Sequence, residues 1–315
     1  MLEQQSGYRA APLYPTPRSG NAVSHWTALA PVDYEVAANP AIGDKGTVRI
    51  RLPEGVGAGP FPFLVGIHGG GWENGDRLSY DWCWERLQGR GVALVTGSHR
   101  KQSDAPWPAQ YDDYVTMLRW LKSNAAEHKL DSGKCGLYGC SSGGHLTALL
   151  ATRATKEEGD SIPTIRAAVP YAGVMDMAKF AEESRITASL FRGVSPQEDP
   201  AMYTGASPTA NLHSRVPPML LIHGDGDDLV PVAQSRAMAA AMAGAGLQHR
   251  LLEVQGGVHF GMNGPDPGGD AAYATAADGS GQKCFICEEE VLAFLAQAGL
   301  APATTSTTSH EGRRA

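Results

Sequence analysis

Residues 134–150 read KCGLYGCSSGGHLTALL. Positions 135–138 form a short apolar run of the kind that makes a buried strand. Gly139-Cys140-Ser141-Ser142-Gly143 follows and fits the pattern G-x-S-x-G, and positions 144–150 open an apolar helix. Strand, sharp turn and helix are the context in which such a serine projects its hydroxyl from the apex of a strained bend. The bend crowds Cβ atoms against neighbouring backbone, and glycine has none. Gly139 and Gly143 flank Ser141 where that crowding is greatest. The helix that follows adds free N–H groups at its N-terminus. Alone, the pentapeptide also fits an ordinary Gly/Ser-rich connection, so the rest of the chain decides.

Three other stretches complete a constellation. Residues 61–72, FPFLVGIHGGGW, run an apolar strand into three successive glycines. Their bare backbone N–H groups suit an oxyanion hole of two loop amides plus the amide of the residue after the nucleophile, Ser142. Residues 218–231, PMLLIHGDGDDLVP, are an apolar strand ending in the carboxylates Asp225, Asp227 and Asp228. A last short strand at 251–254 leads into Gln255-Gly256-Gly257-Val258-His259. Among ten histidines, His259 has the most catalytic context, a glycine-rich loop after a strand from which an imidazole reaches a nucleophile. His145, one helical turn beyond Ser141, competes with it and reads as structural, as do His68 and His223 at strand ends.

HGGGW at 68–72, GCSSGGH at 139–145, HGDGDDLVP at 223–231 and GGVHF at 256–260 together resemble the α/β-hydrolases. The likeness is to their HGGG-bearing esterase branch: hormone-sensitive-lipase-like carboxylesterases, acetyl-xylan or feruloyl esterases and kynurenine-formamidase-like enzymes. It covers roughly residues 30–300, and its strength lies in four motifs in the expected order. The resemblance implies an α/β fold, a mostly parallel central sheet flanked by helices with a small cap insertion. It assigns the acid of the pattern H-G-x-x-D-x-x-V-P to Asp227 and leaves Asp225 and Asp228 as loop-structuring or solvated groups. It also brings Trp72 beside the oxyanion loop, where contact with substrate and simple packing are equally open. Where that branch often has Tyr-Arg, this chain has His99-Arg100. Cys140 before Ser141 resembles tannase-like esterases, but Val258 stands where their second cysteine would precede the histidine.

Composition sets the outer bounds. The chain has 315 residues, 42% hydrophobic and 19% charged, enough for a large core in one α/β domain. A formal net charge of −7, with no basic cluster, argues against nucleic acid as a partner, and no apolar run is long enough to span a membrane. Five cysteines at irregular spacings are not a disulfide framework. Cys284 and Cys287 form one C-x-x-C without a second pair, so no metal site is expected. Residues 1–31 carry no signal-peptide pattern and read as a surface extension. That favours a cytoplasmic protein, unless the sequence is a mature chain given a new Met1. The hydrolase domain is expected over 32–300, and the Ser/Thr-rich tail at 301–315 is expected to be disordered.

The remaining elements follow from pattern. Strands are expected around 34–36, 48–52, 91–96 and 167–171, and helices at 109–128, 234–245 and 288–298. A further helix within 73–90 would bury Trp82, Trp84 and Leu87. Residues 174–212 break the strand–helix rhythm and read as the cap; Met175, Met177, Phe180, Leu190, Phe191, Met202 and Tyr203 suit an adaptable pocket and, equally, an ordinary connection with a satellite core. The residue chemistry then gives a mechanism. His259 takes the proton of Ser141, Asp227 holds the imidazole, and the amides of Gly70, Gly71 and Ser142 receive the oxyanion. No cofactor is needed, and the expected partner is a small-molecule ester; nothing in the sequence sets an oligomeric state. An arylformamidase-like amidohydrolase, a peptidase, or a ligand-binding protein on the same fold are the alternatives.

Overall fold

The computed structural model describes residues 33–79, 87, 89–259 and 288–302. The N-terminal extension, Trp82 and Trp84, the Gly/Ala-rich stretch at 264–283, the Cys284/Cys287 pair and the tail from 303 lie outside the described residues. Strands β1 (Asp33–Ala37), β2 (Thr47–Arg51), β3 (Phe61–Ile67), β4 (Ala93–Gly97), β5 (Leu130–Cys140), β6 (Ile165–Tyr171), β7 (Met219–Gly224) and β8 (His249–Val254) build one sheet. Its order is β1-β2-β4-β3-β5-β6-β7-β8. The pairs β1–β2 and β2–β4 are antiparallel and every other neighbouring pair is parallel.

The strand sequences explain why both faces are covered. Phe63, Val65, Ile67, Val95, Leu137 and Leu221 join one core, while Leu64, Leu94, Tyr138, Val169, Leu220 and Ile222 join another on the opposite face. Alternate residues of near-continuous apolar runs thus feed two cores, the signature of a parallel sheet between helical layers. Helices α1 (Ala109–Asn124), α2 (Ser142–Leu149) and α5 (Ala233–Gly244) lie on the first face, and α6 (Glu288–Gln297) closes the second through Val291, Leu292 and Leu295. Helix α2 continues through a π-helical turn, Leu150–Ala154. Burying Leu118 or Leu121 of α1 is worth about 2–3 kcal/mol each by area.

Between β6 and β7 the chain forms α3 (Met177–Glu183), a 3₁₀ turn at Arg185–Thr187 and α4 (Pro200–Gly205). Asp176 and Asp199 cap these helices by accepting from the amides of Lys179 (3.0 Å) and Met202 (2.9 Å). For this segment the structure favours the core over the pocket. Met175, Met177, Phe180, Leu190, Phe191 and Tyr203 are all at most 2% exposed and belong to the main core. These residues share one core with side chains of α1 and α2; Met202 alone of the named set stays partly buried against it.

The register brings Ile67, Gly139 and Tyr171 near one edge of the sheet. Close packing there fixes where glycine must stand. A Cβ on Gly143 would lie 1.9 Å from the Ile67 carbonyl oxygen, and one on Gly139 would lie 2.4 Å from that of Gly143. By contrast, a Cβ on Gly244, the last residue of α5, meets nothing within 4 Å. Gly143→Ala is therefore expected to lose at least about 3 kcal/mol or fail to fold, while Gly244→Ala stays within about 1 kcal/mol of wild type. Urea denaturation of the two variants checks this, and equal stabilities would refute the packing argument.

Candidate active site

The C-terminal ends of β3, β5, β7 and β8 supply one group each, at the edge where open α/β sheets bind ligands. After β5 the backbone at Ser141 turns to φ 57° and ψ −124°, a left-handed conformation outside the usual αL well. Its amide donates to Tyr171 O at 2.8 Å and its carbonyl accepts from His145 N at 2.9 Å, which hold the bend from both sides. Ser141 is the N-cap of α2, yet its hydroxyl caps no helical amide. The hydroxyl instead lies 2.9 Å from His259 Nε2.

His259 Nδ1 lies 2.7 Å from Asp227 Oδ2. The other carboxylate oxygen, Oδ1, accepts from the amides of Leu229 at 3.0 Å and Val230 at 2.9 Å. Burial would raise the carboxyl's pKa, but hydrogen bonds from His223 and His259, the imidazole charge and the Val230 amide outweigh it. Asp227 is held well below the usual carboxylate range. Asp225 and Asp228 are exposed, and Asp225 Oδ1 takes the Gly256 amide at 2.6 Å, a loop-structuring contact.

The glycine loop runs along the nucleophile. A Cβ on Gly69 would come within 2.8 Å of Cys140 O and 3.4 Å of Ser141 Cβ. Gly70 and Gly71 stand at φ 117° and φ 62°. The Gly70 carbonyl accepts the amides of Glu73 (3.1 Å) and Asn74 (2.9 Å), which curls the loop back on itself. Among the described residues the amides of Gly70 and Gly71 have no hydrogen-bond acceptor, and Ser142 is in the first turn of α2, where amides have no helical partner. These are the three amides that the sequence reading named as oxyanion donors.

Trp72 takes the packing role rather than the substrate role. Its side chain is 2% exposed, and its indole N–H donates to His145 Nδ1 at 3.3 Å. His145 Nε2 donates to Ala206 O at 2.7 Å, and the Trp107 ring lies 5.7 Å away. His145 is thus the neutral Nε2–H tautomer and ties the glycine loop, through Trp72, to α2 and to Ala206. Burial pushes its pKa down to about 4, only partly offset by the Ala206 carbonyl. His68 and His99 are also structural: their rings stack at 4.5 Å, and burial lowers both. The contact that sequence reading missed is His223, whose Nε2 is 3.2 Å from Asp227 Oδ2. Its spacing, four residues before Asp227 at a strand end, was the available signal.

The strand order and the bend at the end of β5 together define the class: this is an α/β-hydrolase. The BD-FAE family model, from the esterases of that fold, matches residues 49–242, and the chain belongs to this family. Esterase LipQ of Mycobacterium tuberculosis is 30% identical over 197 residues, 59% of this chain and 46% of that protein. The chain spans about half the length of the curated relatives it matches. A truncated carbohydrate esterase from gut microbiota is similar in structure, with a TM-score of 0.67 and 24% identity over 84% of this chain and 96% of that one. A thermophilic esterase from Thermogutta terrifontis has a TM-score of 0.67 and 22% identity, over 86% and 94% respectively. At these identities the structural likeness speaks for the fold. Among the described residues no cluster of His, Cys, Asp and Glu could hold a metal ion, and no helix is long and apolar enough to cross a membrane.

His145 gives the site a measurable pH signature. In the unfolded chain it protonates as pH falls through about 6.5, but in the fold only near 4. Between those values the unfolded state binds more protons, so stability falls as pH is lowered through that window. Urea unfolding at pH 7 and pH 4.5 is expected to show a loss up to about 3 kcal/mol smaller in His145→Gln than in wild type. Identical losses would remove His145 from the account.

Proposed function

We propose that this chain is a serine carboxylic-ester hydrolase acting on small acyl or aryl esters. The observation that carries the proposal is the relay in which Ser141 Oγ, His259 Nε2, His259 Nδ1 and Asp227 Oδ2 are linked at 2.9 and 2.7 Å. His259 accepts the hydroxyl proton as Ser141 Oγ bonds to the ester carbonyl carbon, and the carbonyl π electrons move onto oxygen. The amides of Gly70, Gly71 and Ser142 receive that oxyanion, donors typically worth about 3–4 kcal/mol each by deletion. The alcohol then leaves with the proton held by His259, and the acyl group stays on Ser141. Water, deprotonated by the same imidazole, releases the acid and restores the serine. Asp227 keeps His259 in the reactive tautomer and stabilises its charged form.

Acetyl and feruloyl esters of carbohydrates are the substrates we favour within that class. Membership of the BD-FAE family and the carbohydrate esterase among the structural relatives support this reading. No nucleic acid or membrane partner is part of the proposal.

The test is a substrate panel run on wild type and Ser141→Ala. It holds p-nitrophenyl acetate, butyrate and octanoate, methyl ferulate, acetylated xylan and N-formylkynurenine. Wild type is expected to cleave acetyl and feruloyl esters, and Ser141→Ala to lose about 10⁴-fold or more in kcat. Dominance of N-formylkynurenine in kcat/KM would replace the ester reading with an amide one. A folded wild type inert to the whole panel would refute it.

A further inference from the structure

His223 stands one residue before the end of β7 with its side chain completely buried. Its Nε2 is 2.7 Å from Val230 O and 3.2 Å from Asp227 Oδ2. Its Nδ1 is 2.7 Å from the hydroxyl of Ser235, itself fully buried in the first turn of α5. A carbonyl oxygen can only accept, so the hydrogen sits on Nε2. Nδ1 then offers a lone pair, and the Ser235 hydroxyl donates to it. Two contacts thereby fix one tautomer, and its N–H is shared between Val230 O and the carboxylate.

We propose that His223 is a positioning residue of the site, holding Asp227 Oδ2 in line with His259 Nδ1 and drawing charge from the carboxylate. The inference rests on the reading of Ser141, His259 and Asp227 given above. It extends their relay to five side chains, from Ser141 on the β5 bend to Ser235 on α5. Asp227 Oδ2 is shared by two imidazoles, His259 at 2.7 Å and His223 at 3.2 Å. Oδ1 is filled by two loop amides. Val230 is gripped from both ends, its amide by Asp227 and its carbonyl by His223. The Asp227–Val230 turn is therefore wrapped on the buried imidazole, and the plane of the carboxylate is set by it. Hydrogen bonding from His223 is the leading influence that lowers Asp227 against the effect of burial.

The surrounding charges leave His223 this role. Glu253 lies beside it in register on β8 but is committed to Arg236 of α5 at 2.9 Å. Asp225 is turned to the Gly256 amide, and Asp228 is exposed. Asp227 is the acid that His223 meets.

Loss of the His223 N–H leaves Asp227 more basic and Oδ2 with one imidazole partner in place of two. A more basic carboxylate favours protonated, inactive His259, so the acid limb of the kcat/KM profile moves to higher pH. Three variants test this: His223→Phe removes the donor, His223→Gln keeps an N–H near the Nε2 position, and Ser235→Ala removes only the tautomer lock. The readouts are p-nitrophenyl acetate kinetics, the rate at which a fluorophosphonate probe labels Ser141, and the low-field proton resonance of the His259–Asp227 hydrogen bond.

His223→Phe is expected to lower kcat and labelling by about 10-fold with KM within about threefold, and to raise the acid-limb midpoint by about half a pH unit. Its low-field resonance shifts, and His223→Gln restores most of the rate and the resonance. If His223→Phe does not fold, Ser235→Ala decides, with a smaller change in the same direction. Unchanged rate, pH limb and resonance in the folded variants would overturn the proposal. So would equal losses in Phe and Gln with an unmoved limb and resonance, the result of packing alone. A wild type that neither labels nor hydrolyses sinks the hydrolase reading, while the resonance still decides the contact of His223 with Asp227.

Discussion

At Ser141 the backbone is held at φ 57°, a conformation that costs an L-residue on the order of 1–3 kcal/mol. The surrounding structure over-determines it. Tyr171 O takes the serine amide, the His145 amide takes the serine carbonyl, and the carbonyls of Ile67 and His68 press against Gly143. Those partners come from β6, α2 and the end of β3, so the bend exists only when all three are in place. In return the serine side chain is withdrawn from its natural role as a helix cap and aimed at His259. The geometry of the site therefore depends on the packing of the sheet centre.

The glycine-rich loop after β3 is held by a second set of contacts, mostly to the loop that follows β4. Glu73 takes the hydroxyl and amide of Ser103 at 2.6 and 3.0 Å, and Trp72 O accepts the Gln102 amide at 2.9 Å. Arg77 forks onto Glu35 at 2.7 and 3.0 Å and reaches Asp44 at 3.1 Å. Ion pairs at a surface are individually worth little. Their use here is geometric, because several of them hold in place a glycine-rich segment that has few side chains with which to hold itself. The buried stack of His68 on His99 adds an uncharged contact beneath the same loop. It gives His99 a packing role in the fold.

The cap and the acid loop are coordinated through the first turn of α5. Gln234 Oε1 accepts the amides of Met175 and Asp176 at 2.9 and 2.8 Å, at the entry to the cap. The next residue, Ser235, holds His223 and through it the turn that carries Asp227. One helical turn thus fixes both the segment over α2 and the carboxylate behind His259. With its Met and aromatic side chains committed to the core, the cap contributes shape near the loop through residues such as Ile186. Its Cγ2 would lie 3.8 Å from a Cβ on Gly71.

Much of this was legible in the chain itself. Continuous apolar runs ending in HGGGW, GCSSGGH and HGDGDD mark buried parallel strands with functional residues at their C-terminal ends, because period-2 burial on both faces and glycine at tight approaches are local demands. Ser141, Asp227 and His259, which the structure joins by hydrogen bonds, could be named from that pattern. Strand ends were off by about two residues at β6 and β8, where exposed or half-exposed residues such as Arg166 and His249 carry no apolar signal. What the sequence by itself determined was the order of elements and which side chains stand at the ends of the strands. Tertiary structure alone decided that Trp72 supports His145 rather than facing substrate, that the cap's methionines belong to the core, and that His223 reaches Asp227. Those outcomes depend on which long-range neighbour a buried side chain meets, and a polar or aromatic residue looks the same in sequence whether it faces a pocket, a core or another side chain's lone pair.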